Sequence, residues 1–356
     1  MKKLSKVLTL GLTLTMILSA ASCTTKSPTT APSSTSSKAS STSSKAVSKV
    51  LTAKDLVVAG VVFQEDQFMK LLSLGYQDAA KAAGVKCLTG NTGNDQAKEV
   101  ELINTYISQK VNGLAIAPLN PDSSMTTLKL ADAGGMKIVV TNLSLTNAPF
   151  VVGGFTSDNK NLGAITGRKA ATYIKEKLGG KAKIGIVQFK SLLPEQSTDR
   201  VTGFKEEVKK VNPDVEFVAD QDAWLQDKAV AVVGDMLTAN KNINLIYAAN
   251  DGGTIGSVMS VKNAGLTGKC VVFGIDTGEQ QIAMLKDKDG ILQAVTGQDP
   301  YFIGFSAMTL LIKNLLGEDT SASKGKNVIV PGVLVSRDDP AGIAKFEADL
   351  KTKIGK

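Results

Sequence analysis

The chain has 356 residues and no histidine. This excludes histidine-based nucleophile triads, most zinc sites and the commonest general base. The expectation therefore moves away from hydrolases before any motif is considered. Cysteine is scarce, at three residues. Cys87 and Cys270 stand in apolar runs, Val85-Lys86-Cys87-Leu88 and Cys270-Val271-Val272-Phe273, and are expected to be buried free thiols filling core space rather than a disulfide. Tryptophan occurs once, as Trp224. Acidic residues are absent from residues 1–54, which carry Lys2, Lys3, Lys6, Lys26, Lys38, Lys45, Lys49 and Lys54. The remaining 302 residues hold 33 basic and 33 acidic side chains, so the formal charge of +8 belongs to the N-terminus. A neutral body has no electrostatic footprint for a phosphate backbone, and nucleic acid is not an expected partner. The basic stretch suits an anionic membrane or cell wall.

The N-terminus itself has a processing layout. Lys2, Lys3 and Lys6 precede an apolar run from Val7 to Ala21. That run is too short to span a bilayer comfortably and leads directly into small residues, as in a signal peptide over residues 1–22. Ser19-Ala20-Ala21-Ser22-Cys23 resembles a bacterial lipoprotein lipobox, with Ala20 where that pattern prefers Leu. The resemblance implies a lipid on Cys23 and an extracytoplasmic protein anchored to the cell membrane; the tether that follows suggests a single-membrane bacterium. Residues 24–48 are nearly all Ser, Thr, Ala, Pro and Lys. They cannot bury enough apolar surface to offset ordering entropy, so residues 23–54 read as a flexible tether with a reach of roughly 30 Å.

From Asp55 the pattern changes to α/β alternation. Strands are expected at Leu56–Val62, Val85–Leu88, Gly113–Ala117, Lys137–Thr141 and Phe150–Val152, then at Lys183–Phe189, Val215–Ala219, Asn244–Ala248, Cys270–Ile275 and Ile291–Thr296. Helices are expected from near Gln67, from near Asp95 and after Pro121, then at Lys160–Leu178, Asp199–Val211, Gln226–Ala239, Gly252–Ala264, Glu279–Lys286 and Tyr301–Leu316. Some 300 residues of this kind exceed one comfortable core. Two successive alternating units predict two doubly wound parallel-sheet lobes, whose ligands bind beyond the carboxyl ends of the strands.

Polar and aromatic residues recur at those ends: Asp66 and Phe68, Asn142, Gln196 and Arg200, Trp224, Asn250 and Asp251, Asp276, and Gln298. Carboxylates, amides and a guanidinium can each serve two vicinal hydroxyls, and aromatic rings cover the C–H faces of a pyranose, so the set suits a sugar sandwiched between Phe68 and Trp224. Duller readings stand beside it. Asp66 and Asn142 suit helix N-caps, as do Asp158 and Asp251, which are left out of the candidate set; Trp224 suits core packing and Arg200 a surface ion pair.

Residues 55–356 resemble the periplasmic sugar-binding proteins of the ribose and glucose/galactose type, which deliver substrate to ATP-binding-cassette importers. Gln64-Glu65-Asp66-Gln67-Phe68-Met69 is similar to the first cleft loop of the glucose/galactose branch. Arg200 lies in an R-x-x-G-F pattern, Asn250 in A-N-D and Asp276 in F-G-I-D. Asn142, Trp224 and Gln298 match further positions. Departures are Pro194 and Gln196, where the hexose branch has His and Asp, Ala117 in place of an amide, and the absence of that branch's calcium loop; Asp287-Lys288-Asp289-Gly290 reads as a turn.

The resemblance implies an α/β fold of type I periplasmic binding proteins, with two doubly wound lobes joined by a three-strand hinge. One lobe is expected to comprise residues 55–157 and 299–326, the other 158–298 and 327–356. The crossings are expected near Ser157, Asp299 and Gly325. It implies a monomeric receptor and not an enzyme, without metal or cofactor, that passes a monosaccharide, glucose or galactose first, to a membrane permease. The implied ligand-binding residues are Asp66, Phe68, Asn142, Gln196, Arg200, Trp224, Asn250, Asp276 and Gln298. The alternatives are glycoside hydrolysis by Asp66 and Asp276, and reception of a pentose, a disaccharide or a furanosyl autoinducer for sensing or chemotaxis.

Overall fold

A computed structural model describes residues 51–355. The leader, Cys23 and most of the expected tether therefore lie outside the described residues.

The first lobe is built on β1 (Val57–Val62), β2 (Lys86–Asn91), β3 (Gly113–Ile116), β4 (Lys137–Thr141), β5 (Gly153–Thr156) and β11 (Asn327–Ile329). These form one parallel sheet in the order β11-β5-β4-β3-β1-β2. The second sheet repeats that plan with β6 (Lys183–Gln188), β7 (Glu216–Asp222), β8 (Leu245–Ala248), β9 (Val271–Ile275), β10 (Leu292–Gly297) and β12 (Val333–Ser336). Its order is β12-β10-β9-β8-β6-β7, with only β12 antiparallel. The central strands are apolar on both faces because helices cover both: Val58, Ala59, Val61, Leu114, Ile116 and Ile138 are fully buried, as are Ile184, Ile186, Leu245 and Phe273.

In each sheet the strand order reverses beside the first strand, between β1 and β3 and between β6 and β8. The crevice at such a reversal is where open α/β sheets bind ligands. It receives the loop into α1 (Gln67–Ala82) in one lobe and the loop into α5 (Pro194–Val211) in the other. α5 packs against α4 (Asn159–Lys177) at backbone contact. A Cβ on Gly163 would stand 1.9 Å from the Arg200 carbonyl oxygen, so only glycine permits the approach that fixes the helix carrying Arg200.

The other helices of the first lobe are α2 (Gln96–Ser108), α3 (Pro121–Ala133) and α9 (Pro300–Leu315). Those of the second are α6 (Gln226–Ala239), α7 (Asp251–Asn263), α8 (Glu279–Lys286) and α10 (Pro340–Lys353). The chain passes between sheets after β5, after β10 and between β11 and β12. The third crossing is Val330-Pro331-Gly332, not the neighbourhood of Gly325. β11 belongs to the first sheet because Asn327, Val328 and Ile329 pair with Gly154, Phe155 and Thr156. The expected boundary at residues 326 and 327 is thereby moved by about four residues.

Other expectations also need correction. The fifth strand is Gly153–Thr156, whereas Val151 and Val152 are buried in the preceding bend. Two glycines open this strand, and glycine is depleted in strands, which hid it. α5 begins at Pro194, five residues before the expected start, because proline's fixed φ suits the first helical turn. β7 runs on to Asp222 through the exposed Asp220-Gln221-Asp222, charged as befits an edge strand. Cys270 is buried, with its thiol pushed up to about 12 by burial; Cys87 is only half-buried, on β2 of the other lobe, and is pushed up to about 11. Asp287-Lys288-Asp289-Gly290 is a turn in which Lys262 Nζ lies 3.4 Å from Asp287 and 3.2 Å from Asp289.

Candidate functional site

The two reversals face one another across the space between the lobes. Asp66 caps α1, accepting the Met69 N–H at 2.7 Å, and receives the Gln64 amide on its other oxygen. The cap places its carboxyl at the sheet edge, with Phe68 two residues further on in the first turn. Asn142 follows β4 and takes a left-handed backbone, φ 69°. No helix begins there, so the N-cap reading of Asn142 is withdrawn. Asp276 holds the matching place after β9 and is also left-handed, φ 71°. Asn and Asp tolerate that conformation better than other side-chain-bearing residues. The sharp reversal turns both side chains from the sheet into the space between the lobes.

Opposite Asp66 stand the residues of the second lobe. Arg200 is 4% exposed, donating through Nε to Asn159 Oδ1 (2.9 Å) and through Nη1 to the Ala249 carbonyl (2.9 Å), with its guanidinium 5.1 Å from the centre of the Phe189 ring. Its Nη1 lies 3.8 Å from Asp276 Oδ2. Asp276 accepts the Gln298 amide at 2.6 Å and the Asp251 N–H at 3.1 Å. Asn250 caps α7 and donates to the Trp224 carbonyl at 2.9 Å. Gln196 reaches across the gap to donate to the Asn142 carbonyl at 2.8 Å, tying the two lobes directly.

One small cavity, about 40 Å³, is lined by Asp66, Phe68, Asn142, Gln196, Arg200, Asn250, Asp276 and Gln298. Space of that size holds a few water molecules, so a sugar ring enters only if the lobes part. Trp224 is not on this cavity. It is half-buried and lines a wider one of about 900 Å³, further along the same cleft, so the expected sandwich of Phe68 and Trp224 does not form here. Asp251, set aside as a cap, lines both cavities and is the principal omission from the sequence reading. Its position directly after Asn250 at a strand end was the available signal. The apolar Phe63, Phe189 and Leu193 were also passed over, because nothing in their residue type separates a cavity wall from core.

Three carboxyls thus face one guanidinium. Burial, reinforced by the Asp276 charge, holds Asp66 up at about 6 against the Met69 N–H and the Gln64 amide. Asp251 is pushed well above the ordinary carboxylate range by burial, then by the charges of Asp66 and Asp276. Asp276 is raised by burial, although Arg200, Gln298 and the Asp251 N–H pull the other way. A group offering several hydroxyl donors is what such an acceptor-rich site can satisfy.

Comparison with known proteins gives a consistent family. Residues 57–319 match the periplasmic binding protein domain. The D-allose-binding periplasmic protein of Escherichia coli (strain K12) is 31% identical over 250 residues, 67% of this chain and 77% of that protein. The ribose import binding protein RbsB of Bacillus subtilis (strain 168) is 27% identical over 240 residues, covering 67% of this chain and 74% of the relative. Among solved structures, an ABC transporter solute binding protein from Bacillus halodurans C-125 with bound myo-inositol shares the fold, with a TM-score of 0.73 and 17% identity over 83% of this chain and 98% of that one. With two reversed sheets, three crossings and a polar cleft between them, the chain belongs to the periplasmic binding protein domain family.

Proposed function

We propose that this chain is an extracytoplasmic solute-binding lipoprotein that captures a monosaccharide between its lobes and delivers it to the permease of an ABC importer. The observation that carries this reading is the convergence of polar side chains from both lobes on one cavity: Asp66 and Asn142 from the first, Gln196, Arg200, Asn250 and Asp276 from the second, with Gln298 at a crossing. A ligand held by both sets shifts the hinge equilibrium toward the closed arrangement, and the closed arrangement docks on the permease. The body is residues 55–356, monomeric, behind a leader (residues 1–22) and a tether (residues 23–54) lipidated at Cys23.

A pyranose is the first candidate, glucose or galactose, because Asp66, Phe68 and Asn142 together follow the hexose branch of the resemblance. The relative named for D-allose, itself a hexose, supports that class, and the relative named for ribose keeps a pentose as the competing ligand. A receptor rather than a glycosidase is the reading taken, supported by relatives that are named as binding proteins.

Thermal unfolding of the full chain against a panel of hexoses, pentoses and polyols tests the proposal, since a ligand bound only by the folded state raises the midpoint by mass action. At a hundred times its Kd the expected stabilisation is about 2.7 kcal/mol. A panel without any shift removes the sugar reading, and a shift with pentoses alone removes the hexose.

A further inference from the structure

The wider cavity asks for an occupant of its own. It holds about 900 Å³, at the upper end of the roughly 300–1,000 Å³ typical of small-molecule pockets, whereas the inner cavity measures about 40 Å³. The two adjoin, because Gln64, Asp66 and Asp251 line both. Both lobes wall the outer space: Lys70 and Lys98 come from α1 and α2, Ile255 from α7 and Gln280 from α8. The only tryptophan of the chain is on this wall and not on the inner one.

Trp224 is also held firmly. Its carbonyl accepts the Asn250 amide at 2.9 Å, and a Cβ on Gly252 would stand 2.2 Å from the same oxygen, so the segment lies against the first turn of α7. With its backbone pinned next to the polar inner site, the Trp224 indole on the outer wall offers a face for a ring. The wall carries Glu65, Asp66, Asp251 and Glu279 beside Lys70 and Lys98, so no basic cluster marks it for an anionic group.

Resting on the sugar-binding reading above, we infer that the site also accepts, and prefers, its sugar when a second ring is attached, as in a disaccharide or a neutral glycoside, with the captured monosaccharide unit in the inner site and the second ring on Trp224 in the outer cavity. The inner residues then recognise hydroxyls, and the outer cavity selects for the extension.

Calorimetric titration of the full chain separates this inference from the reading beneath it. The probes are glucose, galactose and ribose, each beside its phenyl glycosides, together with maltose, cellobiose, lactose and melibiose. At least one two-ring probe is expected to bind ten-fold or more tightly than its parent monosaccharide, and Trp224→Ala to bring that ratio back toward one. Gln280→Trp, at an exposed position facing the outer cavity, is expected to cost the two-ring probe ten-fold or more while leaving the parent sugar within three-fold. If monosaccharides bind and every two-ring probe binds equally or more weakly, the inference fails and the monosaccharide reading stands. Binding of no sugar at all overturns both. A two-ring preference that survives both substitutions also overturns the assignment of the second ring to Trp224.

Discussion

Asp66 is the residue at which structure, charge and ligand meet most closely. It caps α1 and also lines the cavity, so its role as a cap leaves its carboxyl able to serve the proposed ligand. The cap bond turns the carboxyl toward the cleft, and the cleft then raises it to about 6 by burying it near Asp276. The folded state therefore holds the proton more tightly than the unfolded chain does. This contributes stability that is fully present below the ordinary value of 3.8 and is lost as pH rises through about 6. Asp251 and Asp276, also raised, act in the same direction. For the ligand-free protein, urea unfolding should give a stability that falls between about pH 4 and about pH 7, with Asp66 responsible for on the order of 3 kcal/mol. Asp66→Asn should flatten that slope. A slope unchanged by the substitution would place the titration elsewhere.

At the scale of elements, legibility followed periodicity. α1 and α6 stand where their apolar spacing and start signals put them, because a long amphipathic run overdetermines its own ends, and the short α8 also falls at its expected place. β11 and β12 left no usable trace, whereas α10 had one, Asp339-Pro340 ahead of Ile343 and Leu350, that was passed over. The two strands are three and four residues long, flank Pro331-Gly332, and expose Val328, Ile329 and Val333, so neither burial pattern nor length marks them. Their place is set by partners distant in sequence, Gly154–Thr156 and Ala294–Gly297. The strand-end rule located the inner cavity's polar residues because a doubly wound sheet offers only one such edge. It misplaced Trp224, because a strand end fixes where a loop starts and not which cavity its side chains meet. The α4–α5 contact supplies a test at this scale. Gly163→Ala drives a methyl group into the Arg200 carbonyl, and the backbone must move. The expected cost is about 1–3 kcal/mol, read as a lower urea midpoint. Sugar affinity should fall with it, since the same helix carries Arg200. A variant as stable as the parent would show that the helices can separate freely.

At the scale of the whole molecule, the chain divides its physical tasks. Residues 55–356 are formally neutral and present a polar cleft, while the eight lysines of residues 1–54 carry the entire excess charge. In the proposed arrangement the lipid on Cys23 and the basic tether keep a neutral receptor near the membrane, within roughly 30 Å of its permease. Cys23→Ala should release the protein from cell membranes into the medium, as fractionation would show; full retention would assign the anchoring to another feature. The central claim concerns the cleft itself, where one sugar is held from both sides. Calorimetric titration of glucose and galactose into the parent chain, Asp66→Asn in the first lobe and Asp276→Asn in the second tests it most directly. The account predicts a single saturable site for one of these sugars, weakened ten-fold or more by either substitution alone. Absence of binding, or weakening from only one lobe, would contradict it.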